Sequence, residues 1–290
     1  MKQQLLKLIR RLGYDVKKVN KFDLSIYKQL YNKDSIDNKR FYNIGAGSFY
    51  HPYWTNVDFY SDWYTHNDKT SLSGIHHDLM SLKELPIDNN VAEAVYSSHT
   101  VEHITDQAAQ KMFNEACRIL KKGGVLRITT PNIDLEYRAF KDNDRNYFYW
   151  IDNYSREKEI KRINITKPMN KASIEQIFLY HFAANVSELH GDGANKRISD
   201  DELRNLFSKM SFKDALNYCT SVCDLKIQSK YPGNHINWWN QEKMTMMLRE
   251  SGFTEIYRSG YGQSFSPVMR DVDLFDNTHP KISLYMEAIK

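Results

Sequence analysis

An apolar run ends in two glycines one residue apart, Phe41-Tyr42-Asn43-Ile44-Gly45-Ala46-Gly47. Glycine lets the backbone turn sharply and lets a ligand approach with no Cβ in the way. The next apolar run closes on Asn56-Val57-Asp58, where a carboxylate can accept both hydrogen bonds of a ribose diol. In the dinucleotide fingerprint such an acid follows a Gly-x-Gly-x-x-Gly turn by about 20 residues. Here Tyr50 stands in place of the third glycine and Asp58 follows Gly47 by only eleven positions. Both departures argue against a nicotinamide-dependent oxidoreductase. They also predict that the usual first helix shrinks to a loop around 48–52. A second acid follows in His77-Asp78-Leu79, and Ser97-Ser98-His99-Thr100-Val101-Glu102-His103 gathers groups able to move protons or hold a metal.

That last segment also spells the His-x-x-Glu-His arrangement of inverted zinc peptidases. Two histidines four apart share one helix face and can bind zinc. The peptidase reading needs the motif inside a helix and a further glutamate downstream. Here the motif starts at the end of a strand-like run, and the other motifs go unexplained. A metal-assisted variant draws on Glu102, His103 and Asp192, but nothing in their spacing demands it, so no residue is assigned to a metal.

These residues need elements to hold them. Strand-like runs cover 40–44, 55–59, 74–77, 94–98, 125–130, 254–258 and 282–288. Helical periodicity covers 107–120, closed by Lys121-Lys122-Gly123-Gly124 as a basic last turn and a glycine cap. A second helix covers 241–251, with Asn240 as N-cap, Trp239 and Met244 at staple spacing, and Gly252 at its end. Alternation of strands and helices predicts a mostly parallel sheet covered on both faces. Between Pro131 and about Ile236 the pattern turns irregular, aromatic and polar, too long for a simple loop. We read 141–235 as a mainly helical insertion over the strand ends, where open α/β sheets bind ligands.

Composition narrows the classes. The chain has 290 residues, 41% of them hydrophobic, which supports a packed core. No apolar run approaches a membrane span, and the first residues lack the pattern of a secretory signal. The three cysteines, Cys117, Cys219 and Cys223, form no paired framework and suit a reducing cytoplasm. Net charge is +4, yet residues 1–31 alone carry +6 and the remainder −2. The main body is therefore no nucleic-acid platform. Leu5, Leu6, Ile9 and Leu12 fall at helical spacing among the N-terminal charges. The basic segment 1–38 thus reads as a helix packed on the body, with contact to a membrane surface or protein partner as the alternative.

The ordered set closes with Arg118-Ile119-Leu120-Lys121-Lys122-Gly123-Gly124 before the run 125–130. Together the glycine turn, Asp58, Asp78, the 99–103 segment and this turn resemble the class I S-adenosylmethionine-dependent methyltransferases. The small bacterial type found with polysaccharide-biosynthesis genes is the most similar. The resemblance spans about 39–132 and 235–290, with Ser251-Gly252-Phe253 and 283–288 resembling the family's last strands. It implies a Rossmann-like, seven-stranded, mostly parallel sheet over 39–290, and S-adenosyl-L-methionine as cofactor.

The resemblance also implies roles. Gly45, Ala46 and Gly47 would lie against the cofactor's methionine portion, with Ser98 and His99 beside it. Asp58 would bind the ribose, and Asp78 with the Leu79 backbone would meet the adenine. Asn43 stands where the family usually has an acid that helps hold the cofactor's amino group; it can accept a hydrogen bond but brings no charge. If the acceptor is an alcohol, a base must take its proton, and histidine suits neutral pH. The candidates are His99, His103, His181, His190 and His235, with His190 before Gly191-Asp192-Gly193 read as an exposed loop. The expected function is O-methylation of a small-molecule or carbohydrate acceptor in surface polysaccharide biosynthesis. The alternative is a non-catalytic interaction protein that keeps the fold, a reading that Asn43 favours.

Overall fold

The structure is a computed structural model and describes residues 11–12, 23–60 and 74–290. Leu5, Leu6 and Ile9 of the basic N-terminal stripe lie outside the described residues. The chain passes through α1 (Ser25–Leu30), α2 (Lys33–Asp37), β1 (Phe41–Ile44), β2 (Trp54–Asp58) and β3 (Ile75–His76). Then come β4 (Ala92–Ser98), α3 (Asp106–Ile119) and β5 (Leu120–Pro131). Six helices follow: α4 (Ile133–Lys141), α5 (Glu157–Arg162), α6 (Ile174–Tyr180), α7 (Asp200–Lys209), α8 (Phe212–Ser221) and α9 (Leu225–Lys230). The fold closes with α10 (Gln241–Glu250), β6 (Glu255–Arg258) and β7 (Ser283–Ile289). Among the described residues, no helix is long and apolar enough to cross a membrane.

The seven strands form one sheet in the order β3-β2-β1-β4-β5-β7-β6. β7 runs antiparallel to both β5 and β6, and the other neighbours pair in parallel. From β1 the chain steps outward to β2 and β3, then crosses back to β4. That reversal opens a crevice at the carboxyl ends of β1 and β4, the usual ligand position in such sheets.

Side-chain alternation divides the two faces. Tyr42, Ile44, Val95, Leu126 and Ile128 meet α3 and α10 on one face. Phe41, Trp54, Ala94, Tyr96 and Val125 meet α1 and Phe275 on the other. Tyr27 of α1 is buried there and its hydroxyl accepts from Trp54 Nε1 at 2.7 Å, so α1 packs as part of this body. The helices after β5 enclose an apolar cluster of their own, with Phe140, Phe148, Phe178 and Phe182 at its centre.

One local expectation fails. Lys121-Lys122-Gly123-Gly124 does not cap α3. β5 already starts at Leu120, which is extended and pairs with Ala92, while Val125 pairs with Ala94. Between these pairs four residues of β5, Lys121 to Gly124, therefore stand against the single Glu93 of β4, and the Lys-Gly turn is a bulge in which Gly123 takes φ +79°. Pairing of Leu120 with the sheet competes with the helix end and wins. The Asn240 cap stands, its side chain accepting from Lys243 N at 3.0 Å. The β1–β2 connection holds no helix, as the short Gly47–Asp58 gap requires.

Candidate active site

Two glycines make the turn after β1 possible. Gly45 has φ +71° and Gly47 φ +54°, both in the left-handed region. A Cβ on Gly45 would meet Thr100 Oγ1 at 2.1 Å, whereas one on Gly47 would project into open space. Asp58, at the end of β2, accepts from Gly47 N at 2.5 Å and from Phe59 N at 2.7 Å, tying the turn to its neighbouring strand. Burial raises the Asp58 pKa, against the pull of these two N–H groups.

A cavity of about 580 Å³ opens here, lined by Gly45, Gly47, Asp58, Asp78, Leu79 and Ser98, among others. That volume falls within the range of pockets for small ligands. Asp78 accepts from Met80 N at 2.9 Å and so caps the short 3₁₀ turn that brings Leu79 to the wall. Behind the glycine turn lies a smaller chamber that includes Asn43, Ala46, Tyr96, Asp273 and Asn277. Asn43 is 3% exposed there and its Oδ1 has no hydrogen-bond partner. A buried acceptor left open in a polar chamber fits a ligand that brings a donor, such as an ammonium group.

A further cavity of about 340 Å³ lies under the insertion, among Glu102, Trp150, Tyr154, Arg162, His181 and His235. It shares His99, His103 and Thr278 with the large cavity. His99 follows β4 directly with φ +50°, a strained backbone for a residue with a side chain. Its Nε2 lies 2.8 Å from Ser283 Oγ, which donates to His279 O, so the His99 nitrogen is the donor. Its Nδ1 faces Glu102 Oε1 at 3.1 Å. Val101–His103 forms a single 3₁₀ turn, which puts Glu102 and His103 side by side beneath the insertion. Ile236 N donates to Glu102 O, fixing the end of the insertion, and with it His235, against this turn.

The electrostatics are those of a buried, closely set cluster. Burial opposes ionisation of Glu102, but His99, His103 and His235 outweigh it and hold the carboxyl down at about 2. Burial pushes His181 down to about 3 and His235 well below the usual imidazole range. Glu136, 1% exposed and 2.8 Å from His181 Nδ1, goes the other way: burial, and then the Glu102 charge, hold its pKa well above a normal carboxyl. Glu102 and Glu136 are thus pushed in opposite directions within one cluster, an arrangement typical of sites that handle protons.

Residues 54–128, from β2 into β5, match the family model described as a methyltransferase domain. The chain carries an S-adenosylmethionine-dependent methyltransferase domain. Solved structures similar to it include three S-adenosylmethionine-dependent methyltransferases. One is from Archaeoglobus fulgidus, 10% identical, covering 100% of this chain and 95% of that one at a TM-score of 0.40. One from Mesorhizobium loti is 12% identical over 92% of this chain and 96% of that one, TM-score 0.39. One from Thermotoga maritima, a possible histamine N-methyltransferase, is 12% identical over 92% and 87%, TM-score 0.38. No curated protein matches the sequence. The chemistry of this methyltransferase is therefore read from its own residues.

The structure brings together Gly45, Gly47, Asp58, Asp78, Leu79, Ser98 and His99 around one cavity, with Ala46 on its wall and Asn43 in the chamber behind. It places His99, His103, His181 and His235 at the second cavity and leaves His190 out. The exposed-loop reading of His190 is overturned. It is 0% exposed, its Nε2 accepts from Asn234 Nδ2 at 2.8 Å, and its ring packs edge-on to Tyr231. Folding of the Gly191–Gly193 turn back toward Arg197 and Lys230 covers it. Asp192 pairs with Lys230 and Tyr231 on the exposed side and lines none of the three cavities, so it does not join Glu102 and His103. The motif 99–103 lies outside any α-helix, contrary to the peptidase arrangement. Thr278, His279, Glu136 and Trp150 reach the site without any spacing in the sequence that announces them.

Proposed function

We propose that this methyltransferase moves a methyl group from S-adenosylmethionine to a hydroxyl of a small-molecule or carbohydrate acceptor, as in surface polysaccharide biosynthesis. One observation carries the reading. The cavity floored by the glycine turn and Asp58 adjoins a second cavity, walled by aromatic rings and a histidine cluster, and the two share His99, His103 and Thr278. Gly45 and Gly47 let a methionine chain lie on the backbone, and Asp58 accepts from a ribose diol. Leu79 and Met80 offer an apolar wall to an adenine. Asn43 Oδ1, buried without a hydrogen-bond partner in the chamber behind the turn, supports a role in accepting from the amino group.

When bound, the cofactor supplies a sulfonium-linked methyl already activated toward in-line attack. The protein's work is placement and dryness. Tyr154, half-buried on this cavity's wall, suits stacking on a sugar ring, while Trp150, 3% exposed and stacked on the His181 ring at 4.6 Å, backs the histidine cluster. The cluster of His99, Glu102, His103 and His235 relieves the hydroxyl of its proton as the new C–O bond forms. The resemblance in sequence and the polar, aromatic cavity support a sugar. Incubation with S-adenosylmethionine and a panel of nucleotide sugars and glycans tests the reading by mass spectrometry. The expected product gains one methyl in place of a hydrogen; turnover only on amines or carbon acids would overturn the hydroxyl assignment.

A further inference from the structure

The tautomers of two histidines are fixed by backbone carbonyls. His103 Nδ1 lies 3.0 Å from Asn234 O, and His235 Nδ1 lies 2.6 Å from His181 O. A carbonyl only accepts, so each Nδ1 carries a proton, and in the neutral ring, the form that binds a metal, each Nε2 presents the lone pair. Asn234 O also accepts from Gln228 Nε2 at 2.9 Å, which confirms its direction. The two rings meet edge to face with centroids 4.7 Å apart. Beside them Glu102 is 1% exposed. Thr130 Oγ1 donates to its Oε2 at 3.1 Å, while Oε1 has no aligned hydrogen-bond partner, His99 Nδ1 being near but off-axis.

One donor atom from each of Glu102, His103 and His235 lies within 4.8 Å of the other two. Imidazoles whose second nitrogen is pinned to a carbonyl, with a hydrogen-bonded carboxylate beside them, are the usual outer support of a metal centre. Around a tetrahedral zinc ion such donors sit about 3.3 Å apart, so the three need draw in by roughly 1–1.5 Å. All three also line the 340 Å³ cavity, which leaves the remaining position facing the acceptor space.

We propose that Glu102, His103 and His235 hold a divalent transition ion of the zinc type, with its open position turned toward the acceptor's oxygen. Two imidazoles and one carboxylate suit zinc or a neighbouring first-row ion better than magnesium or calcium, which favour oxygen ligands. Three protein ligands and one open position are the composition of a catalytic site rather than a structural one. The proposed role rests on the methyl-transfer reading: the ion binds the acceptor hydroxyl and lowers its proton affinity, and the proton passes to His99, the one imidazole shared by both cavities that lies outside the ligand set. The presence of the centre does not rest on that reading.

The test is titration of the metal-free full chain with Zn2+ and with Co2+, beside calorimetry with S-adenosylhomocysteine on the same samples. One equivalent of either ion per chain is expected, with the visible bands of a four-coordinate Co2+. His103→Ala and His235→Ala should each weaken binding by about 100-fold or more, at unchanged circular dichroism. Should a variant misfold, the wild-type stoichiometry and Co2+ spectrum decide alone. No ion on folded wild type, an octahedral Co2+ spectrum, or equal affinity in folded variants overturns the proposal. S-adenosylhomocysteine binding without metal binding sinks the centre and spares the methyl-transfer reading. Metal binding without S-adenosylhomocysteine binding does the reverse.

Discussion

Replacing Arg127 by methionine should cost the protein several kcal/mol and loosen the chamber behind the glycine turn. Arg127 lies on β5 with 0% exposure. Its guanidinium forks onto Asp276 at 2.9 and 2.5 Å, reaches Ser259 Oγ at 3.0 Å and Gly260 O at 2.7 Å, and sits 3.1 Å from Glu287 Oε1. Methionine fills much of the same space but leaves two buried carboxylates without their cation. Glu287 keeps Tyr257, Ser264 and Phe265 N as donors, and Asp276 keeps Gly262 N, so the charges are only partly satisfied. Breaking a buried pair in this way costs about 3–5 kcal/mol. Asp276 N also donates to Tyr96 Oη at 2.7 Å, and the segment just before it supplies Asp273 to the Asn43 chamber. The assay is urea unfolding at pH 7, paired with S-adenosylhomocysteine titration of the folded variant. The reasoning predicts a loss in that range and weaker binding. A loss below about 1 kcal/mol, the scale of a surface pair, would refute it.

Other perturbations separate site from scaffold. Asp58→Ala removes the acceptor of the ribose diol and should weaken S-adenosylhomocysteine by about 100-fold, since hydrogen bonds to a charged group are worth about 1.5–3 kcal/mol each; unchanged affinity in calorimetry would move the ribose elsewhere. Gly47→Ala meets no protein atom within 4 Å, yet fills cofactor space. It should cost about 1–2 kcal/mol of stability from its left-handed backbone and weaken the ligand as well, read by melting and titration together. For Glu136→Gln the sign follows from a folded-state pKa raised well above the unfolded one. Wild type keeps that stability below the unfolded value near 4.5 and loses it as pH climbs toward the folded value. The glutamine variant escapes this loss, so its advantage in denaturation should widen between pH 5 and 7, by at most about 1.4 kcal/mol per unit. A flat difference would show that Glu136 is ionised in the folded protein. His190→Ala should destabilise by about 1–3 kcal/mol through a lost buried hydrogen bond while leaving the S-adenosylhomocysteine affinity unchanged; a selective loss of ligand binding would restore His190 to the site.

The parts of the site that lie on regular elements were legible. Gly45, Gly47, Asp58, Asp78 and Ser98 sit at ends of predicted strands, where alternation fixes direction and chain order fixes position. The departures came from tertiary contacts. Leu120 has helical neighbours and a helical pattern, but the ladder with Ala92 claims it for β5. His190 stands in a Gly-rich, charged stretch that reads as surface, yet Asn234, 44 positions later, buries it. His235 joins Glu102 only because Ile236 N reaches Glu102 O across more than a hundred residues, a pairing that no local spacing encodes. Asp192 shows the converse: it is close to His190 in sequence and turned outward by Lys230.

The most direct test of the account is calorimetric titration of the folded full chain with S-adenosylhomocysteine. The account predicts one site per chain with a dissociation constant on the order of micromolar, about −8 kcal/mol. Absence of any heat or stabilisation with ligand well above that concentration would contradict it, and would leave the fold serving an interaction rather than a reaction.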